Sequence, residues 1–234
     1  MYTVGLDEQV WFLLYSLFFI NIAYRAIDNT AFNLKNQKST IMDNRIKEIL
    51  FGSLLGDGQL EMAPRANNAR FGFTQSEAQK SYFLSVLNEL SIICSGNFRV
   101  SSYTDKRTGK TYKSLSFWSR ALPVLNEFYI GFYNGKAKAV PSDLSLLTPL
   151  ALAHWVAQDG SRGTSKGLYL CTDSFSHADV VRLSQYLMDR YQIKCSIHKA
   201  GKNFRIYVLA KYVESVKTLI LPYMHESMLY KLGI

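Results

Sequence analysis

The order of apolar and polar positions runs through most of the chain twice. Each run opens with nine mainly apolar or small residues that stop at Asp-Gly: L-F-G-S-L-L-G-D-G at residues 50–58 and L-A-H-W-V-A-Q-D-G at residues 152–160. Both predict a short helix. The second has a defined start, with Thr148 as N-cap and Pro149 at the first helical position, where a missing N–H costs nothing. The first begins near Thr40 or Asp43. The glycines at the ends are expected to take the left-handed backbone that terminates many helices.

Next in each run comes a strand leading into a helix, F-G-F-T-Q-S from Phe71 and L-Y-L-C-T-D-S from Leu168, with Thr74 and Ser76 matching Thr172 and Ser174. Apolar residues then recur at helical spacing: Phe83, Val86, Leu87 and Leu90 in one run, Val180, Leu183, Leu187 and Tyr191 in the other. A hairpin follows, around D-K-R-T-G-K in the first run and K-A-G-K in the second. A closing helix ends each run, over residues 121–133 and 213–224. The repeat divides the chain into residues 40–140 and 141–234, after an N-terminal piece of residues 1–39.

Alternation along the hairpins assigns their faces, because successive strand side chains point to opposite sides. In the second run Ile193, Cys195, Ile197, Phe204, Ile206 and Val208 are expected to face the core. Lys194, Ser196, His198, Arg205 and Tyr207 then lie on the other face. In the first run Phe98 and Val100 point inward, and Arg99, Ser101 and Tyr103 outward. Composition adds weight to these outer faces. Lys plus Arg number 27 against 18 Asp plus Glu, a net charge of +9, which suits a polyanionic partner. Two basic, hydroxyl-rich sheet faces in matching halves point to a DNA-reading surface.

Cys94, Cys171 and Cys195 are odd in number and widely spaced, so they indicate neither a disulfide framework nor a zinc site and read as reduced, buried residues. The apolar stretch of residues 10–24 is short for a membrane span, which needs about 20 apolar residues, and it lacks the basic start of a secretory signal. It reads as an apolar helix docked on the body, followed by a polar linker at residues 29–39. A membrane-associated stub and a piece translated from an upstream coding sequence are the other readings, and stable membrane insertion is not expected.

Gly52 and Gly56 lie four apart on one helix, and Ala153 and Ala157 four apart on the other, so small residues let the helices pack side by side. Asp57 and Asp159, 159 − 57 = 102 positions apart, then emerge at the same end. Two close carboxylates repel unless a cation lies between them, and hard oxygen ligands suit Mg²⁺ or Mn²⁺. Ions held there could activate a water and stabilise the charge of phosphodiester hydrolysis. A single Asp-Gly at a helix end is usually a plain helix stop. Its recurrence at matching places in a repeat is harder to dismiss.

The two nine-residue elements resemble the signature of the LAGLIDADG homing endonucleases in their single-chain, two-repeat form. The T-D-S-F-S run at residues 172–176 and M-L-Y-K-L at residues 228–232 are also similar to that family. The resemblance implies an α+β fold of two pseudo-symmetric αββαββα halves in a monomer, its antiparallel sheets forming a saddle over the DNA major groove. It implies a metal-dependent double-strand break at a specific DNA site. Asp57 and Asp159 carry over as the metal-binding catalytic residues, with Gly56 and Gln158 beside them as metal contacts. Lys138 and Lys231 match the basic residues near the scissile phosphates. Gln75 and Asp173 are matched supporting groups in the two strands.

Phe51, Ser53, His154 and Trp155 depart from the small or aliphatic residues usual in the signature. His154 falls near the seam, where a buried, hydrogen-bonded role is expected rather than metal binding. Candidate DNA readers are Arg65, Asn67, Asn68 and Arg70 after the first motif, and Arg99, Lys113, Lys194, His198 and Arg205 on the sheets; Arg and Lys suit guanine, Asn adenine. The competing readings are an RNA maturase that assists splicing of its host intron RNA, alone or in addition, and a DNA-binding regulator. Kinship implies expression in a mitochondrion or chloroplast.

Overall fold

The computed structural model describes residues 42–234; the apolar stretch at 10–24 and the linker at 29–39 lie outside the described residues. The described elements begin with helix α1 (Asn44–Leu55), capped by the Asp43 carboxylate accepting from the Arg45 N–H. Strands β1 (Gly58–Glu61) and β2 (Arg70–Ser76), helix α2 (Lys80–Glu89), strands β3 (Arg99–Thr104) and β4 (Thr111–Trp118) and helix α3 (Leu125–Phe132) follow. A two-residue ribbon, β5 (Tyr133–Asn134) with β6 (Ala137–Lys138), leads onward. The order then recurs as α4 (Pro149–Asp159), β7 (Gly160–Arg162), β8 (Leu168–Leu170), α5 (His177–Tyr191), β9 (Cys195–Ala200), β10 (Asn203–Val208) and α6 (Val213–Ile220). Short 3₁₀ turns at Leu221–Tyr223 and Glu226–Leu232 finish the chain.

Two four-stranded antiparallel sheets result, ordered β1-β2-β4-β3 and β7-β8-β10-β9. Each sheet is open, and corresponding strands hold corresponding places. The fold is α+β, with α-β-β-α-β-β-α running twice. Among the described residues no helix is long and apolar enough to cross a membrane.

Helices α1 and α4 pack against each other, and both are enclosed. Every residue from Ile49 to Leu55 is buried, as is every residue from Leu150 to Gln158. A helix apolar all round belongs inside a protein. Phe51 meets Phe132 edge-on at 5.1 Å, while Phe73, Phe83 and Phe117 form one cluster with centroids 5.4–6.0 Å apart. Burying each such ring contributes roughly 1.5–3 kcal/mol. Leu152, Val156, Leu168, Leu187, Ile206 and Val216 make the counterpart core of the second run.

Several expectations need correction. The glycines at the Asp-Gly steps, Gly58 and Gly160, are not left-handed; Gly160, the C-cap of α4, has φ −75°, and Gly56, the C-cap of α1, has φ −101°. Glycine is required there by close approach. A Cβ on Gly58 would sit 2.7 Å from the Ser53 carbonyl oxygen, and one on Gly160 would strike the Val156 carbonyl. The helix seam is close at its glycines, as the small residues led one to expect: Gly52 lies against the Ala151 backbone and Gly56 against the Gln158 side chain. Strand β8 stops at Leu170, so Thr172 leaves the ladder and its hydroxyl donates to the Phe204 carbonyl at 2.6 Å.

The sheet faces depart from simple alternation as well. Strand β3 is an edge strand, and Val100 is 54% exposed and Phe98 39%, although Phe98 still meets Phe83 edge-on at 5.5 Å. Tyr207, expected on the open face, is only 8% exposed. Its ring lies over glycines 163 and 167, stacks on His198 at 4.8 Å and meets Tyr169 at 4.6 Å. The three cysteines are free; Cys94 is buried, while Cys171 and Cys195 are half-buried.

Candidate active site

The close seam brings the C-terminal ends of α1 and α4 side by side. Asp57 sits in the turn after α1 with its carboxyl reaching solvent, and Asp159 is the last residue of α4, half-buried. Burial, then repulsion from Asp57, pushes the Asp159 pKa up to about 7. Burial also raises Asp57, against lowering by the Gln75 hydrogen bond and the charges of Lys231 and Lys138. Two acids that both resist ionisation are a pair in want of a cation.

Two lysines come from outside the helices. The Lys138 ammonium, at the end of β6, donates to the carbonyls of Gly56 at 3.1 Å and Gly58 at 3.0 Å, and burial pulls its pKa down to about 8. Lys231, on the last 3₁₀ turn, donates to the Gln158 carbonyl at 3.3 Å. Ammonium groups thus already engage the carbonyls of Gly56 and Gln158. The Gln158 side chain is turned into the seam: its Oε1 accepts from the Asp57 N–H at 2.9 Å, and its Nε2 donates to Ser53 Oγ at 3.0 Å and to the Tyr82 hydroxyl at 2.9 Å.

The matched strand residues behave differently. Gln75 donates through its amide to the Asp57 carboxylate. Asp173 makes no matching bond to Asp159; it receives both Nε and Nη2 of Arg205, the latter at 2.7 Å, and its charge adds to the repulsion felt by Asp159. Divalent-ion chemistry fits this donor set. Among the described residues no group of three or more His, Cys, Asp or Glu gathers, and two carboxylates with nearby carbonyls match an ion such as Mg²⁺, which keeps much of its water and takes few protein oxygens.

The candidate DNA readers are spread over the two sheets, the β1–β2 loop and, for Lys194, the connection between α5 and β9. Arg65, in the left-handed region at φ 66°, and Asn67 are exposed in the β1–β2 loop, and Asn68 is half-buried beside Asn126. Arg70 stacks over Trp118 at 4.3 Å and pairs with Glu61 at 2.7 Å. Arg99 and Lys194 are exposed, and Lys113 pairs with Glu77 at 3.6 Å. His198 is engaged at both nitrogens, by Tyr169 at 3.1 Å and Ser196 at 2.9 Å. Among these, Arg70, Lys113 and Arg205 carry acidic partners, so part of the basic charge is already balanced.

Ser53, Tyr82 and Trp118 are contacts that sequence reasoning missed. A glutamine inside an otherwise apolar helix was a usable signal for the first two, since a buried amide needs partners.

The family model described as the LAGLIDADG DNA endonuclease family matches residues 47–217. Over 82% of its length the chain is 31% identical to the cytochrome b mRNA maturase bI2 of Debaryomyces hansenii, covering 75% of that protein. It is 28% identical to the DNA endonuclease I-ChuI of Chlamydomonas applanata, over 80% of this chain and 94% of that one. It spans about half the length of several other curated relatives it matches. Among solved structures, the homing endonuclease I-WcaI bound to its DNA recognition sequence superposes with a TM-score of 0.76, at 22% identity, over 85% of this chain and 91% of that one. The match runs through both signature helices, and the chain belongs to the LAGLIDADG DNA endonuclease family.

Proposed function

We propose that this protein is a homing endonuclease that makes a double-strand break at a specific DNA site by metal-dependent phosphodiester hydrolysis. The observation that carries the reading is the meeting of Asp57 and Asp159 at one end of the α1–α4 seam, each held above its usual pKa, with Lys138 and Lys231 beside them. Mg²⁺ or Mn²⁺ would be held by the two carboxylates with help from the Gly56 and Gln158 carbonyls. When bound it supplies Lewis acidity to the phosphate and an acidified water.

The chain's own groups do the rest. Gln75 fixes the orientation of the Asp57 carboxylate. Lys138 and Lys231 offset charge on the scissile phosphates, and Lys138, with a pKa near 8, can exchange a proton at Nζ close to neutral pH. Arg65, Asn67, Asn68, Arg70, Arg99, Lys113, Lys194, His198 and Arg205 are proposed to meet the duplex from the loop and the outer sheet faces, as a monomer acting on both strands. Expression in an organelle accords with the cytochrome b mRNA named for the D. hansenii relative.

The test uses DNA carrying the intron-free version of the protein's own insertion site. Wild-type protein with Mg²⁺ or Mn²⁺ should cut both strands. Asp57→Asn and Asp159→Asn should each abolish double-strand cleavage while keeping specific binding, and full cleavage by either variant would sink the assignment. The second reading, an RNA maturase, is favoured by the 31% identity to a protein of that name. Intact DNA together with faster splicing of the intron RNA would decide for it.

A further inference from the structure

The buried amide of Gln158 stands at the centre of a hydrogen-bonded chain whose direction can be worked out. The Asp57 N–H can only donate, so it must meet Oε1 of Gln158. The amide nitrogen then faces Ser53 Oγ and the Tyr82 hydroxyl and donates to both. Having accepted from Gln158, the Tyr82 hydroxyl directs its own proton to Nδ1 of His154, 3.0 Å away. That requires a neutral histidine protonated at Nε2. His154 is 4% exposed, and among the described residues Nε2 has no partner, so the bond to Tyr82 is what the ring contributes within the protein.

The chain runs across three elements: His154 and Gln158 on α4, Tyr82 on α2, Ser53 on α1 and Asp57 just past its end. A flipped Gln158 amide would set its NH₂ against the Asp57 N–H and lose the bonds it donates. We propose that Tyr82 and His154 are positioning residues that lock the Gln158 amide in one orientation, and thereby hold the Asp57 turn against α4 and set the geometry of the carboxylate pair. Neither touches a substrate. The inference deepens the endonuclease reading and rests on it for its catalytic consequence, while the structural part stands without it.

The experiment compares Tyr82→Phe, His154→Leu and His154→Asn with wild type, all metal-free and shown folded by their amide NMR spectra. Asparagine keeps an acceptor near the place of Nδ1, and leucine does not. Hydrogen exchange at the Asp57 amide should rise roughly fivefold or more in Tyr82→Phe and His154→Leu relative to core amides of β2 and α5 in the same sample, and stay near wild type in His154→Asn. In single-turnover cleavage the first two should slow about tenfold or more, with DNA affinity in Ca²⁺ unchanged.

A uniform rise in exchange across all amides, or equal behaviour of His154→Leu and His154→Asn, would overturn the positioning role. If Tyr82→Phe does not fold, the histidine pair alone decides. Selective exchange at Asp57 in the variants, with a wild-type protein that leaves DNA intact, would uphold the positioning and refute the nuclease; cleavage by wild type with no selective exchange in the variants would do the reverse.

Discussion

Replacing Gly52 by alanine sets two effects of opposite sign against each other. Alanine is the better helix former, and in an unobstructed helix interior the change gains roughly 0.5–1 kcal/mol. At Gly52, however, the new Cβ would lie 2.7 Å from the carbonyl carbon and 2.8 Å from the Cα of Ala151, and nearer still to its carbonyl oxygen. Ordinary carbon contacts begin near 3.5 Å. The obstacle is backbone, so no rotamer relieves it and the two helices must separate. Overpacking of this kind costs about 1–3 kcal/mol, and a rigid obstacle puts Gly52 at the upper end. The net effect is a loss of about 1–2 kcal/mol. A domain of this size changes its Tm by about 2–4 °C per kcal/mol, so Gly52→Ala should melt roughly 2–8 °C lower by calorimetry. Gly131 in α3 is the internal control, because a Cβ there would meet Pro141 at 3.4–3.5 Å, an ordinary contact. Gly131→Ala should melt at the same temperature or a few degrees higher. A Gly52→Ala protein that melts above wild type would show that the seam is looser than described and refute the argument.

The remaining predictions concern charge and capping. Asp159 has a folded pKa of about 7, above its unfolded value, so its contribution to stability is full below the unfolded value and is lost as pH rises through 7. His154, held down to about 4, acts in the opposite sense and loses stability as pH falls towards 4. The difference between wild type and Asp159→Asn in urea titrations at pH 5 and 7.5 isolates the first effect; the variant should gain more on wild type at the higher pH, and an unchanged difference would refute the burial argument. For the same reason Mg²⁺ uptake should release protons, and affinity by titration calorimetry should climb as pH rises towards 7. Thr148→Ala removes the cap that accepts from the Ala151 N–H at 3.3 Å and the bond to Glu48 at 2.7 Å, and should cost about 1 kcal/mol in urea unfolding.

Local signals carried much of the architecture. Thr148 and Pro149 marked the start of α4 because capping chemistry is written in adjacent residues, and the basic turns marked both hairpins. Asp57 and Asp159 were legible as a pair only through the repeat. Contacts that join distant segments were not legible: Ser53 to Gln158 spans 105 positions and Tyr82 to His154 spans 72. Alternation misjudged Val100 because it reports which side a residue faces, not whether anything covers that side. It misjudged Tyr207 because the cover comes from a loop whose glycines leave room for the ring. The glycines of the Asp-Gly steps looked like left-handed helix terminators and proved to be clearances.

The ion pairs of Arg70 with Glu61 and Arg205 with Asp173 give the outer faces an unequal readiness. Exposed Arg99 and Lys194 answer any polyanion that approaches. The paired side chains answer only a partner whose groups replace the carboxylate they already hold. Each exposed pair is worth about 0–1 kcal/mol, so the toll per side chain is small. Were these side chains to meet a duplex as proposed, the sum would favour one that offers well-placed base edges over one that offers phosphate charge alone. On the proposed DNA-binding reading, the acids on a basic surface would work as a filter, lowering the grip on random DNA more than on a specific site.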